Sequence, residues 1–313
     1  MSNRIFLRNA DQGKNEWWRY LFTLIILLVG SIVGVIILGV AVTFISFSWR
    51  LITGQTQDLQ GFLTERTLFT FAIEMSLWPV AFLITYLCIK FIHQRRFFSL
   101  VNSTNKFRFK LFFRSALLWF SIIIATQLVF IALNSTEYEV TFSPFPFVLS
   151  LALVLVFIPF QSGVEELLCR AYLPQGLLRI FRKQWIVIII SSLVFALLHV
   201  PNPEFTTYGF AIMFLDVFIV GLYLGLLSYV DDGLESAFGV HLANNLVGLL
   251  FIDFTRDTEL NTILRVKNIY NVDVHLSLVV LAMWISIHLM FMHHRRIGQW
   301  VKLKLATKHG ANN

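Results

Sequence analysis

Between Tyr20 and Trp49 the chain carries no charged side chain. A bilayer core is crossed by about 20 helical residues. Backbone in lipid has no water to bond, so a span of this kind satisfies its own N–H and C=O groups as a helix. Apolar runs recur at about 68–92, 111–133, 144–160, 185–199, 208–229, 237–252 and 274–292. They predict an all-α polytopic membrane protein of about eight transmembrane helices. With 57% hydrophobic and only 14% charged residues in 313, the chain lacks the surface charge of a soluble domain. The first run is too long for a signal-peptide core and no small-residue cleavage site stands out, so it reads as a retained span. The net charge of +7 is read as loop charge and lipid-headgroup contact, which makes the lipid bilayer the expected partner and excludes nucleic acid. Cys88 and Cys169 both fall in or beside apolar runs, which does not suggest a disulfide.

Loop charges set an expected orientation. Arg4, Arg8, Lys14 and Arg19 precede the first span, with Trp17-Trp18 at its edge, and Arg295, Arg296, Lys302, Lys304 and Lys308 follow the last. Both termini are therefore expected in the cytoplasm, in a multi-pass protein of a bacterial inner or plasma membrane. The segment 95–114 interleaves Arg95, Arg96, Lys106, Arg108, Lys110 and Arg114 with phenylalanines and reads as amphipathic, lying on the inner leaflet. Asp231, Asp232 and Glu235 fall in a connection that should be internal, against the usual charge bias. Pro79 predicts a kink in the second span. Gly30/Gly34 and Gly221/Gly225 have the GxxxG spacing of close helix contacts. The chain divides into 1–143 (tail, three spans and the basic segment), 144–252 (the chemistry-bearing core of the fourth to seventh spans) and 253–313 (external loop, last span and basic tail).

The polar groups with chemical potential lie at span ends. Gly163-Val164-Glu165-Glu166-Leu167-Leu168-Cys169-Arg170 follows the run that starts at Phe145. Charges at such positions are costly and by default functional. Glu166 and Arg170 are four apart on a helix and form an ion pair in the favourable order. Glu165 points about 100° away and stays free to act as general base or acid. His199 lies four residues after Phe195, on the same face. His241 and Asn245 are also four apart and together can donate two hydrogen bonds to one oxygen, as an oxyanion hole requires. Asn244 faces elsewhere and reads as a packing contact. Cys169 reads as an inert buried thiol. Glu74 and Asp216 are further intramembrane carboxylates, and Asp216 is placed either to support the site from outside it or to sit at a wet interface. His275, His288, His293 and His294 read as structural or interfacial. One mismatch of depth remains. A fourth span ending at Glu165 puts that residue near the cytoplasmic edge, whereas His199 lies roughly 21 Å along the fifth helix from Trp185.

Glu165-Glu166-xxx-Arg170, Phe195-xxx-His199 and His241-xxx-Asn245 resemble, in order and spacing, the three motifs of the CPBP family. This is the CAAX-protease and bacteriocin-processing group of intramembrane proteases, also called Abi. The resemblance covers residues 145–250. Cys169 and Ala171 stand where relatives often carry an aromatic residue and glycine. The resemblance implies that Glu165 activates water, that His199 assists it, and that His241 and Asn245 stabilise the oxyanion. It implies structural support from Glu166, Arg170 and Phe195. The expected reaction is hydrolysis of a peptide bond in a membrane-anchored, CAAX-like or prenylated substrate, without a cofactor. A zinc ion held by Glu165, His199 and His241 is the alternative chemistry. A non-catalytic scaffold or bacteriocin self-immunity factor is the alternative function. A transporter is disfavoured by the lack of an internal repeat.

Overall fold

Proline at position 79 has no N–H, and its ring clashes with the carbonyl four residues back. The helix that begins at Leu68 accordingly ends at Met75. The computed structural model describes residues 6–52, 68–104, 106–253, 260–267 and 280–293, apart from the side chains of 45, 46 and 49–51. Helix α1 runs Trp17–Ile52. Helices α2 (Leu68–Met75) and α3 (Leu77–Leu87) meet at Ser76, whose hydroxyl donates to the Ile73 carbonyl at 2.6 Å. Helix α3 runs on into a π-helical turn, Cys88–Ile92. The short helix α4 (Phe98–Val101) and the long α5 (Phe109–Leu133) follow.

Helix α6 (Pro144–Glu166) opens on proline in its first turn, where the missing N–H costs nothing. It passes through a π-helical segment, Leu167–Tyr172, into α7 (Leu173–Phe181). Then come α8 (Gln184–Leu198), α9 (Pro203–Tyr208), α10 (Phe210–Asp231), α11 (Glu235–Leu250) and α12 (Val280–His293).

Where the predicted apolar runs fall on described residues, they coincide with helix almost throughout. Five described helices are long and apolar enough to cross a membrane: Trp17–Phe44, Leu68–Ile92, Phe109–Leu133, Pro144–Phe181 and Phe210–Asp231. Gln184–Leu198 and Val280–His293 are apolar but shorter, and α11 has 16 residues. The chain is an all-α, polytopic integral membrane protein.

Two sequence expectations need correcting, and one element went unforeseen. The fourth span does not stop at Glu165. Its apolar helix covers 38 residues, Pro144–Phe181, because the π-helical segment carries the helix past both glutamates. Glu165 is therefore about 24 Å from the Phe181 end, close to the 22 Å between Gln184 and the His199 end of α8, and the mismatch of depth disappears. Segment 95–114 does not lie on a surface along its whole length. Arg95, Ser99, Leu100, Val101 and Asn102 are buried, and the Arg95 guanidinium donates to Gln175 Oε1 at 2.8 Å. The connections at the far end are not featureless. Strands β1 (Tyr138–Val140), β2 (Ile252–Asp253) and β3 (Leu264–Val266) form a small sheet in the order β1-β3-β2, tying the loop after α5 to the chain after α11. Strands of two or three residues and mixed polarity give no readable period. His275, His294 and the tail after 293 lie outside the described residues.

Helix α11 sits at the centre and packs on α5, α6 and α10. Its Ala237, Val240, Ala243 and Val247 meet Trp119 and Ile123 of α5 and Tyr223, Leu224 and Leu227 of α10. Both GxxxG pairs are close contacts. A Cβ on Gly34 would lie 2.7 Å from a Val80 methyl, and one on Gly225 2.9 Å from an Ile188 methyl.

The end nearest the N-terminus is closed by a 3-10 turn, Phe6–Gln12, with Phe6 and Leu7 buried. Here the acidic connection 231–235 finds its partners. Asp232 accepts from the Phe6 N–H at 2.9 Å, and Glu235, fully buried, pairs with Arg108 at 2.5 Å. Asp231 accepts from Ser236 at 2.5 Å and faces His293 at 3.7 Å. The acids that break the charge bias thus have partners within the fold.

His93 joins this cap to the π-helical segment. Its Nδ1 donates to the Lys14 carbonyl at 2.9 Å, and its Nε2 accepts from the Tyr172 hydroxyl at 2.9 Å. Burial pushes the imidazole down to about 4, so it is neutral at pH 7. The unfolded chain takes up that proton near pH 6.5. Between these values it binds more protons than the fold, and stability is lost as pH falls. The melting temperature in detergent is expected to drop between pH 6.5 and about 4, and His93→Gln should flatten that slope.

Candidate active site

Four helices converge where α6 gives way to the π-helical segment. Such segments widen the turn and leave carbonyls without their usual partner. Here the Cys169 carbonyl accepts from the Ser191 hydroxyl of α8. Gly221 of α10 lets α8 approach closely, since a Cβ there would lie 3.2 Å from Ser192 and 3.3 Å from the Phe195 ring. These contacts hold Phe195, 3% exposed, at the centre of the cluster. The Arg170 guanidinium lies 3.9 Å from the Phe195 ring centroid. The His199 ring packs on it at 4.2 Å and the His241 ring meets it edge-on at 5.9 Å. A guanidinium over an aromatic face gains a cation–π attraction, larger when desolvated.

The two adjacent glutamates are divided as their spacing predicts, with one addition. Glu166 faces Arg170, Oε2 to Nε at 3.5 Å, and both side chains are 1% exposed. Its other oxygen accepts from Nδ1 of His241 at 2.8 Å. Glu166 thus also fixes the ring of a proposed catalytic histidine, which the sequence spacing did not reveal, because the bond crosses from α6 to α11. A proton on Nδ1 directs the other ring nitrogen toward Glu165, whose Oε2 lies 3.5 Å from His241 Nε2. His199 is arranged alike. Its Nδ1 donates to the Phe195 carbonyl at 2.8 Å, and its Nε2 lies 3.8 Å from the same Glu165 oxygen. Two imidazole Nε2 atoms therefore address one carboxylate oxygen, which accepts no protein hydrogen bond among the described residues.

Asn245 projects from the same face of α11 as His241 and donates to the Ser162 hydroxyl at 3.3 Å. Gln161 donates to the remaining Glu165 oxygen, Oε1, at 3.2 Å. Sequence reading passed over both Gln161 and Ser162. The available signal was two consecutive polar residues in an apolar helix, one of them four before Glu165. Asn244 points outward and accepts from Trp119 at 3.5 Å, the packing contact expected of it. His288 is buried between Tyr223 and Ser115, away from these groups. Cys169 is a buried free thiol. Asp216 lies on α10, and no described contact ties it to the site. Among the described residues, no group of three His, Cys, Asp or Glu side chains has the arrangement of a metal centre.

The division of the glutamates has a measurable consequence. Truncating Glu166 strands a buried arginine, and breaking a buried pair in this way costs about 3–5 kcal/mol. Glu166→Ala should therefore lower the melting temperature steeply, whereas Glu165→Ala should stay within about 1 kcal/mol of wild type. Thermal unfolding of the two variants in the same detergent checks this.

Residues 143–247 match the family model Rce1-like, described as type II CAAX prenyl endopeptidase Rce1-like. Uncharacterized protein YyaK of Bacillus subtilis (strain 168) is 24% identical over 261 residues, covering 82% of this chain and 83% of that protein. No solved structure matches the chain. The matched segment contains every residue of the convergent cluster, from Glu165 to Asn245. Over residues 143–247, about a third of the chain, the sequence is thus similar to the Rce1-like family of CAAX prenyl endopeptidases.

Proposed function

We propose that the protein is an intramembrane endopeptidase that hydrolyses a peptide bond with water activated by Glu165, the catalytic core being 144–252. The observation that carries this reading is the single unbonded oxygen of Glu165 facing Nε2 of His241 at 3.5 Å and of His199 at 3.8 Å. Such separations in a substrate-free site tighten when the reacting groups arrive.

Glu165 takes a proton from water as the oxygen attacks the scissile carbonyl. His199, with its proton held on Nδ1 by the Phe195 carbonyl, presents an Nε2 lone pair that accepts the water's second hydrogen and orients the attack. The tetrahedral oxyanion is received by Asn245 Nδ2–H and by His241. Because Nδ1 of His241 is committed to Glu166, donation from Nε2 requires the imidazolium, and the Glu166 carboxylate beside it stabilises that charge. Glu165 then passes its proton to the leaving amine as the C–N bond breaks, giving a carboxylic acid and an amine with no covalent intermediate. Phe195 and Arg170 hold the two rings in place without touching the reacting atoms. This chemistry needs no cofactor.

The substrate is proposed to be a membrane-anchored peptide or protein, CAAX-like and prenylated, taken from a bacterial inner or plasma membrane. Both termini of the enzyme are placed in the cytoplasm.

Purified protein supplied with membrane-anchored and prenylated peptides should cleave one or more of them. Glu165→Gln and His241→Ala should each lose at least about 100-fold in kcat. Asn245→Ala should lose about 100-fold with little change in KM. Chelators should leave the wild type unaffected. Chelator inhibition reversed by zinc would instead assign Glu165, His199 and His241 as metal ligands. Absence of cleavage across a broad panel would favour a scaffold or self-immunity role.

A further inference from the structure

Glutamine 161 stands in the last turn of α6 before the glutamates, among apolar neighbours. A primary amide taken out of water is costly unless it is bonded. Its Nε2 donates to Oε1 of Glu165 at 3.2 Å. The other oxygen of Glu165 accepts no hydrogen bond from the described residues and is the one the two histidines face. A free carboxylate presents two equivalent oxygens and turns about its terminal torsion in a broad well. Here the equivalence is broken by one donor.

We propose that Gln161 is a positioning residue for the hydrolysis, holding Oε1 of Glu165 so that Oε2 alone faces the histidines and the attacking water. The proposal rests on the protease reading above. Gln161 touches neither the water nor the scissile bond and acts only through Glu165. Position 161 suits this task because a helix places residues four apart one above the other, and the Glu165 side chain reaches back along that face toward it. The neighbouring Ser162 points toward α11 and holds Asn245 at 3.3 Å, so the same turn supports both sides of the reacting carbonyl.

The bland reading is an ordinary i,i+4 pair that steadies the helix. Such a pair contributes to folding and has no bearing on kcat. Gln161→Met keeps length and volume while removing the donor, and is the variant to test. One hydrogen bond to a charged group is lost, so kcat should fall about tenfold or more, with KM within about twofold and an unchanged melting temperature. In a Glu165→Gln background the same substitution should cause no further loss of residual activity, because the two residues act as a unit.

Gln161→Met with wild-type kcat, in an enzyme that Glu165→Gln inactivates, overturns the proposal and leaves the protease reading intact. Equal loss in both backgrounds, or a fall in melting temperature that accounts for the loss, also overturns it. A wild type whose cleavage survives Glu165→Gln overturns the protease reading and the positioning role together.

Discussion

A carboxylate buried to 1% exposure between a guanidinium and an imidazole holds this site together. Glu166 faces Arg170 along its own helix and His241 across to α11. Desolvating a carboxylate and a guanidinium is expensive, and the expense is met only with good geometry on both sides. That geometry depends on Phe195, which covers the guanidinium and packs on both histidines. It depends in turn on Gly221, which lets α8 approach α10 closely enough to place the ring. A change at any of these positions reaches Glu165 without touching it.

The π-helical segment Leu167–Tyr172 is the backbone counterpart of this arrangement. It keeps one continuous apolar helix from Pro144 to Phe181 while giving a local widening directly after the glutamates. The carbonyl freed at Cys169 is taken by Ser191 of α8, which links the widened turn to the helix that carries Phe195 and His199. At its far end Tyr172 donates to His93, so the N-terminal cap bears on the same segment. The cap also absorbs Asp232 and Glu235, and thereby fixes where α11 begins and how far along it His241 sits.

The eight apolar runs, the break ahead of Pro79 and both GxxxG contacts were legible because each follows from a local rule: residue hydropathy, a missing N–H, or a missing Cβ. The pairing of Glu166 with Arg170 and of Phe195 with His199 was legible for the same reason, since residues four apart share a helix face. The small sheet was not legible, because its strands are too short to show alternation. The burial of Arg95 and the pairing of Arg108 with Glu235 were hidden because basic residues interleaved with phenylalanine look alike on a membrane surface and inside a cap.

The sequence by itself determined that the chain is helical and membrane-embedded, and which polar residues are candidates for chemistry, because hydropathy and i,i+4 spacing are properties of the chain alone. Tertiary structure decided everything that passes between helices. It set Glu165 at the depth of His199, gave Glu166 a second partner in His241, and turned both imidazole Nε2 atoms toward one oxygen. Those relations are distances between residues 34 to 76 positions apart by their numbers, and only the packing of α6, α8 and α11 sets them.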